Sequence, residues 1–100
     1  QIHYIHRDFF DFHHDYLFDE IVTNMPVRGK MTREELDRFY TRFFDKALEI
    51  LRKNAIIVMY TQEVGFVKKQ LRLRQEYVLH QEYCMQDKKG FYLLVIGVRE

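Results

Sequence analysis

A complete helix signal in residues 32–54 constrains the fold more than any other feature of the sequence. Thr32 and Glu35 form a capping box, in which each side chain can bond the backbone N–H of the other residue. The apolar residues that follow recur every three or four positions: Leu36, Phe39, Tyr40, Phe43, Phe44, Ala47, Leu48 and Leu51. This spacing predicts an amphipathic helix over residues 32–53, which ends at Lys53-Asn54 and buries one face.

Strand-like segments flank this helix on both sides. Strands are predicted at residues 2–6, 17–23 and 55–60, a second helix at 64–75, and two closing strands at 77–85 and 91–98. The continuous apolar run at 55–60 is typical of a central strand that is covered on both faces. The short polar connection ending in Gly90 predicts an antiparallel hairpin. Because strands that alternate with helices pair in parallel, we expect a single α/β domain over residues 1–100, with a mostly parallel sheet.

The bulk composition narrows the function only by exclusion. Sixteen basic and 15 acidic residues leave a net charge of +1, which argues neither for nor against nucleic acid. The sequence contains no serine, which excludes a serine-nucleophile hydrolase, and no run of apolar residues long enough for a membrane span. A single cysteine, Cys84, favours a reducing, cytoplasmic setting and is predicted to be buried in its strand.

Two groups of charged or metal-ligating residues have plain interpretations. The spacing of His3, His6, His13 and His14 does not match a tetrahedral ligand set, so we predict no metal site. The basic residues of the second helix are expected to form its solvated face: Lys68, Lys69, Arg72 and Arg74.

Polar residues follow three of the predicted strands: Asp8, Asn24 and Thr61-Gln62. Ligands of open α/β sheets bind beyond the carboxyl ends of the strands, so these residues are candidates for one site. Polar residues at strand ends also serve simply as turn formers, and for each residue alone both interpretations stay open.

Two segments resemble motifs of a known enzyme family. Residues 18–26 (Phe-Asp-Glu-Ile-Val-Thr-Asn-Met-Pro) resemble the strand and loop of amino-group methyltransferases, which read (Asn/Asp/Ser)-Pro-Pro-aromatic. Residues 5–9 (Ile-His-Arg-Asp-Phe) resemble the segment that holds the adenine of S-adenosylmethionine. The chain thus resembles the C-terminal half of a class I S-adenosylmethionine-dependent methyltransferase, in particular the THUMP-associated RNA methylases of guanine N2.

The resemblance implies a Rossmann-like sheet, S-adenosylmethionine as the cofactor and RNA as the partner. It assigns Asp8 and Phe9 to the adenine of the donor, Asn24, Met25 and Pro26 to the orientation of a target amine, and Val27 to the substrate base. The basic residues Arg28, Lys30 and Arg33 follow this loop and could contact the phosphates of the substrate RNA or simply form a solvated loop, and both interpretations stay open. In such a loop the Asn24 side-chain oxygen and the Met25 carbonyl would each accept a hydrogen bond from the amine.

Departures from the family pattern leave a second function open. Met25 stands where the family usually has proline, and Val27 stands where an aromatic ring would stack on the base. Such stacking is worth roughly 1–3 kcal/mol per base. No glycine-rich turn for the donor follows a first strand, so we expect the chain to be a fragment that is inactive alone. The alternative is a degenerate domain that serves as an RNA-binding or assembly module.

The resemblance also predicts how the chain associates. In the family's sheet, two strands that this chain lacks separate segment 2–6 from segment 17–23. Segment 17–23 should then have a bare edge, which favours a homodimer over direct pairing with residues 2–6.

Because no glycine-rich turn is present, these 100 residues alone are expected to bind S-adenosylmethionine weakly or undetectably. Isothermal titration calorimetry measures this affinity. A micromolar dissociation constant would contradict the expectation.

Overall fold

Five strands and two helices make up the part of the chain that the structure describes. The computed structural model describes residues 3–4, 17–26, 29, 31–87 and 89–100. The elements are β1 (His3–Tyr4), β2 (Phe18–Asn24), α1 (Arg33–Ile50), β3 (Leu51–Thr61), α2 (Val64–Leu73), β4 (Tyr77–Cys84) and β5 (Tyr92–Val98). The predicted order of strands and helices is confirmed, with boundaries shifted by a few residues.

All five strands belong to one sheet, in the order β1-β2-β3-β5-β4. β1 is parallel to β2, and β2 is parallel to β3. β5 is antiparallel to both of its neighbours, so β4 runs in the same direction as β1, β2 and β3. The predicted α/β sheet, mostly parallel with a C-terminal antiparallel hairpin, is therefore confirmed.

The predicted bare edge of β2 is wrong at the centre of the strand. His3 pairs with Ile21 and Tyr4 pairs with Val22, so β1 lies directly against β2. Ile21 is fully buried, and Val22 is half-buried. Direct parallel pairing satisfies backbone groups that a second copy of the chain was expected to satisfy, which removes the reason given for a homodimer at these positions.

Helix α1 begins with the predicted capping box. The Thr32 N–H donates to Glu35 Oε1 at 2.8 Å, and the Glu35 N–H donates to Thr32 Oγ1 at 3.1 Å. These bonds satisfy two backbone donors that have no partner within the helix. The first turn is thus fixed by its own side chains.

Helix α1 ends earlier than predicted, at Ile50, because the sheet takes over the next residue. Leu51 is buried and pairs with Phe18 of β2, although its N–H still donates to the carbonyl of Ala47. Asn54, the predicted helix stop, lies inside β3 with a φ of 69°, where the register with β2 shifts. Asparagine tolerates this left-handed conformation better than most residues, and it accommodates the irregularity.

The core lies between the two helices and one face of the sheet. The strands contribute alternate residues to this face: Ile21, Ile57, Met59, Leu94 and Ile96, all fully buried. From α1, Phe44 packs edge-on against Tyr77 of β4, with ring centroids 5.0 Å apart. Both helices are amphipathic, and neither α1 nor α2 is long and apolar enough to cross a bilayer.

The expectation that β3 is covered on both faces is met fully on one face and only partly on the other. Met59 and Thr61 are buried, whereas Val58 and Tyr60, which point to the other face, are half-buried. The reason is that α1 and α2 both pack on the same side of the sheet. The continuous apolar run therefore has one fully covered face and one partly accessible face.

Cys84 is exposed, which corrects the expectation that it is buried. It is the last residue of β4, the edge strand of the sheet. Tyr77, at the start of β4, is buried, whereas residues 80–84 are exposed, so the helical layer covers only the beginning of this strand.

A buried hydrogen bond between helix and sheet generates a prediction about alkaline stability. The Tyr40 hydroxyl and Thr61 Oγ1 lie 2.5 Å apart, and the Tyr40 side chain is fully buried. Burial raises the pKa of Tyr40 from 10.0 to about 12, and the hydrogen bond between Tyr40 and Thr61 opposes this rise to a smaller extent. The stabilisation of the folded state by the neutral, buried phenol of Tyr40 is complete below about pH 10 and is lost as pH rises through about 12.

We expect Tyr40→Phe to lower the free energy of unfolding by about 1 kcal/mol at neutral pH. Between pH 10 and 12, the free energy of unfolding of this variant should fall less than that of the wild type, because the variant has one buried phenol fewer to ionise. Urea denaturation across this range measures both effects. Tyr83→Phe, at an exposed tyrosine, is the control, and an identical pH dependence for Tyr40→Phe and the wild type would contradict the assignment.

Candidate functional site

The carboxyl ends of β2 and β3 lie side by side at one rim of the sheet. Asn24, the last residue of β2, pairs with Tyr60 of β3, and Thr61 ends β3 directly beyond it. Because the two strands are parallel, the polar residues that follow them meet at the same edge. The structure thus brings two of the three predicted strand ends together.

Asn24 is exposed, and its side chain is aimed by the alternation of β2. Ile21 lies on the helix-covered face, so Asn24, three residues later, points to the opposite face. An amide at this position offers one acceptor oxygen and two N–H donors to a molecule bound at the rim. Asn24 is the predicted catalytic residue that is best placed to contact a substrate.

Met25 is anchored directly after Asn24. Its side chain is only 6% exposed and belongs to the hydrophobic core, and its N–H donates to the Tyr60 carbonyl at 2.9 Å. Pro26, which follows, is half-buried. Both the backbone N–H and the side chain of Met25 therefore hold the chain in place directly after Asn24.

Thr61 has a structural role at this rim. It is 1% exposed, and its hydroxyl oxygen bonds Tyr40 and accepts a hydrogen bond from the Glu63 N–H at 2.8 Å. These contacts join the end of β3 to α1 and to the start of α2. For Thr61 the turn-forming interpretation is correct.

The other predicted site residues lie outside the described part of the chain: Asp8, Phe9, Val27, Arg28 and Lys30. Their roles stay predictions. Within the described ranges, no three histidine, cysteine, aspartate or glutamate side chains form a group that could hold a metal ion.

Three of the four basic residues on α2 are engaged in ion pairs. Lys68 contacts Glu82 at 3.1 Å, Lys69 contacts Asp37 at 3.1 Å, and Arg74 contacts Asp45 at 2.5 Å. These pairs link α2 to β4 and α1 and neutralise much of the positive charge. Lys68, Lys69 and Arg72 are exposed, as predicted for a solvated face. Arg74, which directly follows α2, departs from the prediction, because its side chain is only 15% exposed and also bonds the Gln70 side chain and the Thr41 carbonyl.

Tyr60 is the rim residue that sequence reasoning missed. Tyr60 is the last residue of the continuous apolar run at 55–60, and this pattern predicts a strand that is covered on both faces, with no residue left to contact a ligand. The alternation of buried and half-buried residues places Tyr60 on the accessible face, next to Asn24. Only the pairing of β2 with β3 reveals this neighbour.

Comparisons with solved structures find the same fold in methyltransferases. TrmN from Thermus thermophilus superposes with a TM-score of 0.68 at 19% identity, over 85% of this chain and 24% of that one. A candidate rRNA methylase from Clostridium thermocellum has a TM-score of 0.56 at 15% identity, over 86% of this chain and 50% of that one. The N-methyltransferase NodS from Bradyrhizobium japonicum WM9, in complex with S-adenosyl-L-homocysteine, has a TM-score of 0.59 at 13% identity, over 92% of this chain and 51% of that one.

These likenesses establish the fold, and the chain spans a quarter to a half of the length of these three structures. No protein-family model matches the sequence, and no curated protein does. The expected Rossmann-like methyltransferase fold is therefore confirmed from structure alone.

The anchoring of Met25 predicts how the loop responds to a family-like residue. Met25→Pro removes both the N–H that bonds Tyr60 and the buried side chain, so we expect the free energy of unfolding to fall by about 2–4 kcal/mol. Met25→Leu keeps the N–H and nearly the same volume and should cost less than about 1.5 kcal/mol. Urea denaturation of the two variants distinguishes them, and equal stability would contradict the anchoring role.

Proposed function

We propose that this chain carries the target-binding part of an S-adenosylmethionine-dependent methyltransferase that acts on an exocyclic amine of a nucleic-acid base, with RNA as the favoured polymer. The observation that carries the proposal is the exposed Asn24 amide at the carboxyl end of a parallel strand, in a loop whose backbone is fixed by Met25. Asn24 lies in the segment that resembles the catalytic motif of amino-group methyltransferases. The fold shared with solved methyltransferase structures also supports the proposal.

S-adenosylmethionine is the proposed donor, and when bound it supplies an electrophilic methyl group on a sulfonium sulfur. A structure of the same fold that contains S-adenosyl-L-homocysteine supports this class of donor. Asp8 and Phe9, the residues proposed to hold the adenine, lie outside the described ranges. The described part of the rim is compatible with the amine side of the reaction, since it presents the exposed amide of Asn24 beside the half-buried Tyr60.

An exocyclic amine on a base is a poor nucleophile because its lone pair is delocalised into the ring. Two acceptors, the Asn24 Oδ1 and the Met25 carbonyl, would each accept one of its N–H bonds. Held in this way, the lone pair turns out of the ring plane and toward the methyl group. The contribution of these residues is then orientation and proximity, which can supply a large part of a rate enhancement.

The anchoring of Met25 supports an active site over a degenerate module. Met25 departs from the family's proline, but its N–H and its side chain are both used, so the residue directly after Asn24 is held by other means. The enzymatic proposal therefore takes precedence over the RNA-binding module.

The experiment that tests the proposal is the turnover of Asn24→Ala in the full-length protein. We expect the methyl-transfer rate to fall at least about a hundredfold, because removing one aligned contact to the reacting group costs on the order of 3 kcal/mol in the transition state. The dissociation constant for S-adenosylmethionine should stay nearly unchanged. Transfer of a labelled methyl group to RNA, together with calorimetry, measures both quantities.

Asn54→Gly is the matched control, because Asn54 is an exposed asparagine at the opposite end of β3 and glycine keeps its positive φ. This variant should retain full turnover. Unchanged turnover in Asn24→Ala would instead support the alternative, an RNA-binding or assembly module.

A further inference from the structure

Four residues form a straight row across the sheet at the rim that holds Asn24. Asn24 pairs with Tyr60, Tyr60 pairs with Leu93, and Leu93 pairs with Tyr83. Residues that pair in register on neighbouring strands point to the same face. The row therefore lies on the face opposite α1 and α2, with one residue from each of β2, β3, β5 and β4.

Tyr60 is the aromatic residue of this row that adjoins Asn24. Neighbouring strands lie about 4.8 Å apart, so the two side chains leave the sheet next to each other. Tyr60 is half-buried, whereas Thr61, the next residue, faces the helices and is 1% exposed. Tyr60 is thus only partly covered, on the face of the sheet where Asn24 would hold an amine.

The backbone of Tyr60 is hydrogen-bonded to the residue that follows Asn24. Its carbonyl accepts the Met25 N–H at 2.9 Å, directly after the pairing of Asn24 with Tyr60. The ladder therefore fixes the spacing between the backbones of Tyr60 and Asn24, from which the ring and the amide extend. A planar aromatic molecule whose amine bonds Asn24 would have its ring within reach of the phenol.

We propose that Tyr60 is the residue on which the target base stacks while Asn24 holds its amine. This inference rests on the proposed function and deepens it, since it names the ligand group as the planar ring of an amine-bearing nucleobase. Val27, at the loop position where the family has an aromatic residue, cannot stack on a base. Tyr60 supplies a π-face from the neighbouring strand instead, and stacking of this kind tolerates any base.

The row also contains a matched control. Tyr83 is 48% exposed and lies on the same face, and its hydroxyl donates to Gln81 Oε1 at 2.8 Å. It is two strand spacings from Tyr60, roughly 10 Å away, which is too far to stack on a base held by Asn24. A general effect of removing an exposed tyrosine from this face would appear equally at both positions.

The test uses the full-length protein and a single-stranded RNA decamer with one 2-aminopurine, a base that has an exocyclic amine and loses fluorescence when it stacks. We expect the wild type and Tyr60→Phe to quench the probe with similar affinity, because the stacking ring is retained. Tyr60→Leu should bind it about five- to a hundredfold more weakly, as expected for the loss of one stacked base. Tyr83→Leu should remain within about twofold of the wild type.

Thermal unfolding midpoints of the variants separate lost stacking from lost folding. The proposal is overturned if the wild type does not quench the probe, if folded Tyr60→Leu quenches it as the wild type does, or if Tyr60→Phe is as weak as Tyr60→Leu. Equal losses at Tyr60 and Tyr83 would overturn it as well. A failure of the proposed function would appear differently, as quenching without any methyl transfer to RNA.

Discussion

The parallel ladder between β2 and β3 is the interaction on which the rest of the molecule depends. Five consecutive pairs run from Glu20 with Ile56 to Asn24 with Tyr60, and the Met25 N–H continues the ladder into the loop. A slip of one residue would turn Asn24 toward the helices and Ile21 toward the accessible face. The burial of Ile21 therefore fixes the direction of Asn24, so that hydrophobic packing in the middle of the strand orients the polar side chain at its end.

The two faces of the sheet serve different purposes. On the helix side, the rim is closed by Tyr40, Thr61 and the start of α2, whose hydrogen bonds use the polar groups of this region within the protein. On the other side, the strands present half-buried residues and the exposed amide of Asn24. Stability is thus concentrated on the face where the helices pack, and contact with a ligand is left to the opposite face.

Local signals in the sequence predicted most of the fold. The capping box at Thr32, the periodic apolar face of α1 and the turn at Gly90, which has a φ of 86°, each depend on neighbouring residues only. The errors concern contacts between distant segments. Leu51 continued the helical pattern, yet pairing with Phe18 drew it into the sheet.

In the candidate site, too, local sequence signals predicted one residue, whereas a contact between distant segments was missed. Asn24 was predictable because its own segment carries the motif, whereas Tyr60 is 36 positions away in the sequence and becomes its neighbour only through strand pairing. That Tyr60 lies on a partly accessible face also follows only once both helices are known to pack on the same side of the sheet.

Mass spectrometry of nucleosides, after the full-length protein has acted on RNA with a deuterated methyl donor, tests most directly the claim that this chain belongs to a methyltransferase of base amines. The predicted result is a labelled methyl group on an exocyclic amine of a base; label only on a ring atom or a ribose oxygen, or no label in a protein that binds the donor, would contradict it.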